Sequence, residues 1–177
     1  MSTVTGFPPV ADSNAIILIL GSMPSIKSIE VRQYYAHPRN SFWSIMTALL
    51  TAETDLDYEQ RKALLLRNRI GLWDVLYTCQ RSGSLDSSII NETARVNDFN
   101  GFFTEHPHIR AVYFNGTRAQ LEYNKHVLPV LDEKSSSIEY KRLPSTSPAM
   151  ASLSREQKIR QWRVILDNLK NNGKMQI

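Results

Sequence analysis

The strongest constraint on this chain is an unbroken run of β-branched and leucine residues, Ile16 to Leu20 (IILIL), closed by Gly21-Ser22. A half-buried strand alternates apolar with polar residues. This run has no polar side, so it reads as a central strand covered on both faces. Ser22 to Asn40 loses periodicity and holds Pro24 and Pro38, which marks a long ordered loop, and a loop of that length inside a compact domain is usually functional. Ser41 to Leu50 places Phe42, Ile45, Met46 and Leu49 on one helical face, and Tyr58 to Arg69 reads as a second helix. Ile70 to Leu76 (IGLWDVL) reads as a second strand, followed by a polar segment with Arg81, Ser82, Gly83 and Ser84. Asp98 to Glu105 is a short helix, Ile109 to Asn115 a third strand stopped by Gly116, and Thr117 to Leu128 a helix. Ile138 to Leu143 completes four strands, and Pro144 to Met150 is a second irregular loop. Ser154 and Gln157 form a capping box for a last helix striped by Ile159, Trp162, Leu166 and Leu169.

Strands alternating with helices predict a three-layer α/β/α fold around a central four-stranded, mainly parallel sheet. Ligands of such sheets gather outside the carboxyl ends of the strands. The segments leaving those ends are Gly21–Asn40, Asp74–Arg81, Asn115–Gly116 and Pro144–Met150, and chemistry is expected there.

A length of 177 residues suits one domain, 1–177, with 1–12 expected as a loosely ordered N-terminal segment. No apolar run approaches the roughly eighteen residues of a membrane span, and the start of the chain lacks a basic-then-apolar leader. A cytoplasmic protein is expected. The single cysteine, Cys79, excludes an internal disulfide and a cysteine-built metal site. His106 and His108 flank Pro107 without the spacing of a metal pair, so no metal is expected. A formal charge of +4 fits a polyanionic partner and equally a merely basic protein, because no long basic run is present.

Two stretches of the first loop carry candidate chemistry: Gly21-Ser22-Met23-Pro24-Ser25, and Tyr34-Tyr35-Ala36-His37-Pro38-Arg39-Asn40-Ser41-Phe42-Trp43. A Gly-Ser turn after a strand lets backbone approach a ligand closely, and the aromatics either stack on a base or belong to the core. Asn40 or Ser41 is also a natural cap for the helix that follows.

The joint spacing of GSMPS and YYAHPRNSFW resembles the first motif of the uracil-DNA glycosylase superfamily, most closely its hypoxanthine-DNA (deoxyinosine) branch. Gly71 to Leu76 followed by Arg81 looks like that family's second strand and base-reading position, and Leu143 to Ala149 (LPSTSPA) like its C-terminal motif. The resemblance implies an enzyme of base excision repair that acts, as a monomer and with no cofactor, on double-stranded DNA containing deaminated bases. It places Tyr35 under a flipped base, Asp74 on the base edge, and Ser145 and Ser147 on phosphates or the leaving base. Ala149-Met150 falls at the wedge, and Gly21, Ser22, Met23, Pro24, His37 and Asn115 fall around the substrate. Where many members carry a water-activating Asp or Asn, this chain has Met23, whose thioether orients water poorly. In the deoxyinosine branch the catalytic residue implied is the Asn of the HPRN segment, here Asn40. Loss of the carboxylate argues against efficient uracil excision, the activity of a mismatch-directed relative; a catalytically silent DNA-binding relative is the other alternative.

In that reading Asn40 holds water for a dissociative hydrolysis, and an ionised Asp74 accepts from hypoxanthine N1–H, with a helix cap or an Arg81 salt bridge as its bland alternative. Backbone N–H groups near Ser22 donate to O6. Arg39 and Arg118 are candidates for phosphate contact or for structural ion pairs, and a structural role is preferred for His37. Lys27, the lysine of the first motif, has no mark of a Schiff-base residue, so strand cleavage is not expected.

Overall fold

The computed structural model describes residues 2–132 and 137–173. In chain order its elements are β1 (Ser2–Thr5), β2 (Ile17–Gly21), α1 (Ile26–Val31), α2 (Phe42–Leu50), α3 (Tyr58–Arg67), β3 (Ile70–Asp74), β4 (Leu76–Arg81), β5 (Arg95–Val96), α4 (Phe99–Glu105), β6 (Ala111–Asn115), α5 (Thr117–His126), β7 (Glu139–Leu143), α6 (Arg155–Trp162) and α7 (Val164–Gly173). Four strands form one parallel sheet in the order β3-β2-β6-β7, with β2 central and buried at every residue.

The period of two along the strands sorts side chains between two apolar layers. Ile17, Ile19, Ile70, Leu72 and Tyr113 face one layer, where α2, α3, α6 and α7 contribute Phe42, Ile45, Met46, Leu65, Trp162 and Ile165. Leu18, Leu20, Trp73, Val112 and Phe114 face the other, closed by Phe99, Phe102 and Phe103 of α4 and Tyr123 of α5. The helices therefore cover both faces, giving the three-layer α/β/α arrangement. No helix among the described residues is long and apolar enough to cross a membrane.

Four features differ from the sequence expectation. The N-terminal segment is not loosely ordered where it is described: β1 pairs antiparallel with β4, and Val10 bridges Leu72 (Met1 lies outside the described residues). Its Val4 packs on a third cluster of Met23, Leu76, Cys79 and Ile89, and that apolar contact holds the segment down. The run Ile70 to Leu76 is divided between two sheets. β3 ends at Asp74, the N–H groups of Val75 and Leu76 still reach the carbonyls of Gly21 and Ser22, and the chain then enters an antiparallel sheet ordered β1-β4-β5. A continuous apolar run cannot reveal such a change of partner. The loop after β2 contains the short helix α1, capped by Ser25, whose Oγ accepts from the Ser28 N–H. The last helix keeps its Ser154–Gln157 capping box but is interrupted at Arg163 between α6 and α7.

Candidate active site

The strands β2, β3, β6 and β7 end at Gly21, Asp74, Asn115 and Leu143, all on one edge of the sheet. A cavity of about 730 Å³ opens there, walled by the segments leaving those ends and by a 3₁₀ turn at Asp86–Ser88. The loops are tied together. Ser41 donates from both its N–H and its Oγ to the Thr146 carbonyl, at 3.0 and 3.2 Å. Trp162, fully buried, donates to the Pro144 carbonyl at 3.0 Å, and the buried ammonium of Lys158 donates to the Met150 carbonyl at 2.9 Å. Gly116 adopts φ +96°, and a Cβ there would lie 2.9 Å from Ser145 Cβ, so only glycine lets the two connections pass.

Gly21, Ser22, Met23 and Pro24 form one wall of the cavity. The Ser22 hydroxyl donates to Asp86 Oδ1 at 2.5 Å, and Met23 turns its buried thioether toward the third apolar cluster. Tyr35 holds φ +54°, a left-handed conformation that costs energy for a side chain of this size and recurs at functional sites. Phe42 stacks on one face of its ring, with centroids 4.1 Å apart, and Trp162 packs edge-on behind Phe42. The Tyr35 ring is thus a rigid platform that also lines the cavity.

Asn40 lines the cavity, and its Oδ1 accepts from the Phe42 N–H at 3.0 Å, so it caps α2 while Ser41 makes no side-chain cap. An amide oxygen has a second lone pair, and the Nδ2 donors remain, so capping and holding a water are compatible. His37 accepts at Nδ1 from the Arg39 N–H at 3.2 Å. Arg39 is exposed at the cavity rim.

Asp74 is 3% exposed, and its Oδ2 has no hydrogen-bond partner. Burial pushes its carboxyl up to about 7, with the negative charge of Asp86 adding to the shift and Arg81 opposing it. Where the sequence reading took Asp74 as ionised, its burial makes the acid form available beside the ionised one near neutral pH. The salt-bridge alternative is absent, because the buried Arg81 guanidinium donates to the Pro24 carbonyl and leaves Nε and Nη1 unpartnered.

Asn115 reaches the cavity edge, but both ends of its carboxamide are engaged. It donates to Thr146 Oγ1 and accepts from the Thr146 N–H, each at 2.9 Å. Ser145, Ser147, Ala149 and Met150 line the opposite wall. The hydroxyls of Ser145 and Ser147 accept from the N–H groups two residues on, which leaves their own protons free to donate. Met150 is exposed at the mouth. Arg118, expected as a candidate for DNA contact, does not line the cavity, nor does Arg81. The Arg118 guanidinium meets Glu122 and the Asn91 side chain, each at 2.7 Å, the structural ion pair that was the alternative to a phosphate contact.

Sequence reading missed Asp86. Burial raises its carboxyl, while the Ser22 hydroxyl and the charges of Arg118 and Arg81 pull the other way. The available signal was an acidic residue in a Gly/Ser-rich segment just past a strand end. No periodicity marks it. His106 stacks on Phe102 with Nδ1 at the Phe102 carbonyl.

Comparison with known proteins adds independent findings. A family profile described as the uracil DNA glycosylase superfamily matches residues 8–170. The chain is 40% identical over 161 residues to a Methanosarcina acetivorans protein named hypoxanthine DNA glycosylase, taking in 90% of this chain and 96% of that relative. A Methanosarcina barkeri protein of the same name is 41% identical over 115 residues, 64% of this chain and 72% of its own. The fold is similar to a solution NMR structure from Methanosarcina acetivorans, described as a candidate uracil DNA glycosylase, with a TM-score of 0.78 and 38% identity, covering 96% of this chain and 99% of that one.

Proposed function

We propose, from the premise that the chain belongs to the uracil-DNA glycosylase superfamily, that it is a monofunctional DNA glycosylase excising deaminated bases, chiefly hypoxanthine, from double-stranded DNA. The observation that carries this reading is the convergence of Tyr35, Asn40, Asp74 and Ser147 on one cavity at the carboxyl edge of the parallel sheet. A base in a duplex must leave the stack to be reached. The cavity lies within the range of small-ligand sites, so one extruded purine fits it.

Hydrolysis of an N-glycosidic bond puts positive charge on the sugar and negative charge on the leaving base. Tyr35, backed by Phe42, stacks against the base, and Asp74 meets its hydrogen-bonding edge. The Ser145 and Ser147 hydroxyls donate to a phosphate or to the leaving base, while Arg39 stands at the rim for backbone contact. Asn40 positions the water. A carboxamide is too weak a base to deprotonate that water early, so the sugar develops cation character before capture. Ala149-Met150, at the mouth, supplies the wedge. The protein acts as a monomer and forms no covalent imine, so it leaves an abasic site without cutting the strand.

Incubation with duplexes carrying hypoxanthine, xanthine, uracil or mismatched thymine, followed by alkaline cleavage, tests this directly. The hypoxanthine duplex is expected to yield abasic product fastest, with uracil well behind because Met23 replaces a water-activating side chain. Uracil or thymine in first place would make it a mismatch-directed enzyme, and DNA binding without product from any duplex a silent relative. Arg118→Ala is expected to leave duplex affinity within about twofold, because its guanidinium is already committed to Glu122. Denaturant unfolding of the same variant should show a loss of about 1–3 kcal/mol, since the buried Glu122 carboxylate loses its nearer partner and keeps only His126, at 3.6 Å.

A further inference from the structure

Asp74 is a buried carboxyl with little to balance a charge. No cation among the described residues is ion-paired with it, and its Oδ2 has no donor. Arg81 on β4 acts on it through space but directs its hydrogen bond to Pro24. The other groups facing it are acidic or neutral: Asp86 from the 3₁₀ turn, and the hydroxyls of Tyr34 and Tyr35 from the loop after β2. Asp86 lines the same cavity and, unlike Asp74, has a donor, the Ser22 hydroxyl. Two carboxyls in one low-dielectric cavity do not both ionise readily, and the charge settles on the one that is hydrogen-bonded. Here that is Asp86.

We propose that Asp74 meets the base as a neutral carboxyl, donating through one oxygen and accepting through the other, and that Asp86 is the neighbouring charge that helps keep it so. The proposal rests on the glycosylase reading above and specifies how its base edge is read. Hypoxanthine presents the O6 acceptor beside the N1–H donor. A neutral carboxyl answers both at once, its O–H toward O6 and its carbonyl receiving N1–H. An ionised carboxylate would satisfy only N1–H, and its second oxygen would oppose O6, acceptor against acceptor. The neutral acid has the donor–acceptor layout of a carboxamide, so Asp74 in this state works as an asparagine would. Adenine's amidine edge also fits a neutral acid, so its rejection falls to the cost of extruding a correctly paired base. Burial foremost, and then Asp86, hold the Asp74 carboxyl near 7, which makes the acid form available under ordinary conditions.

The test is single-turnover excision of hypoxanthine from a duplex between about pH 5.5 and about pH 9, for the wild type, Asp74→Asn, Asp74→Ala and Asp86→Asn. The acid form is lost as pH rises, so the wild-type rate should fall about tenfold per pH unit above about 7. Asp74→Asn should stay within about tenfold of the wild type at about pH 6 and lose that decline, whereas Asp74→Ala should fall roughly a hundredfold at every pH. Asp86→Asn should move the decline to lower pH, because removing the like charge eases ionisation of Asp74; a purely structural role for Asp86 would lower the rate equally throughout. An Asp74→Asn protein as inactive as Asp74→Ala, or a wild-type rate that rises through neutrality, would overturn the proposal while leaving the glycosylase reading in place. Absence of abasic product from the wild type at every pH overturns both. The wild-type profile needs no substitution, so a misfolded variant cannot hide the answer.

Discussion

Asn40→Ala is expected to slow hypoxanthine excision roughly a hundredfold or more, the lower scale for removing a positioned polar catalyst. The hydrogen bond to α2 is seen in the structure, the holding of water is the proposed role, and the substitution removes both. Its Oδ1 caps α2 at the Phe42 N–H, and loss of such a cap costs about 1 kcal/mol of stability. The cap also matters to the site, since Phe42 is the ring beneath Tyr35. A second variant separates the contributions. The bond spans two residues, a turn that serine also makes, more weakly and without a carboxamide. Asn40→Ser should therefore restore part of the thermal stability lost in Asn40→Ala while remaining close to it in excision rate. Recovery of the rate along with the stability would reduce Asn40 to a cap and leave the water without a holder.

The two roles also show which parts of a site can be read from a chain. Ile16 to Leu20 announced a doubly covered strand because burial on both faces leaves no polar position, and Ser154–Gln157 announced a helix start because two backbone donors need those two side chains. Such signals are local. The rim residues Gly21, Tyr35, Asn40 and Ser147 were legible for a related reason: strand ends in a parallel sheet open on one edge, and the resemblance fixed which residues sit there. What escaped depends on long-range pairing. The division of Ile70 to Leu76 between two sheets follows from β4 finding β1, some seventy residues earlier in the chain, with Ser2 opposite Arg81. Asp86 entered the site because Ser22, sixty-four residues away, donates to it. The state of Asp74 escaped for the same cause, since it is set by burial and by Asp86 rather than by its neighbours in sequence. Arg118 shows the converse. The sequence left a phosphate contact and a structural ion pair as equal alternatives for it, and Glu122 one turn along takes it into the second.

Gly21→Ala is expected to have an effect of the same order by a different route. Gly21 closes the central strand in register with Asp74. An added Cβ would fall inside contact distance of Asp74 Oδ1 and 2.8 Å from the Tyr35 hydroxyl. Neither neighbour can yield cheaply. The Tyr35 ring is stacked on Phe42 and its backbone is already left-handed, while the Asp74 carboxyl is buried at the end of its own strand. Relief must come from moving the stacking platform, the base-reading carboxyl or both, and a misplacement of about 1 Å is enough to cost about a hundredfold in rate. The overpacking itself should cost about 1–3 kcal/mol in unfolding free energy. Gly71→Ala provides the control. Its methyl group would meet Ala11 Cβ of the N-terminal segment and Leu18 Cδ1 on the neighbouring strand, each at 3.3 Å and away from the cavity. Both variants should lose stability in denaturant unfolding, yet only Gly21→Ala should lose excision at saturating enzyme. Equal rates for the two would mean that Asp74 and Tyr35 do not hold the base where Gly21 brings them together.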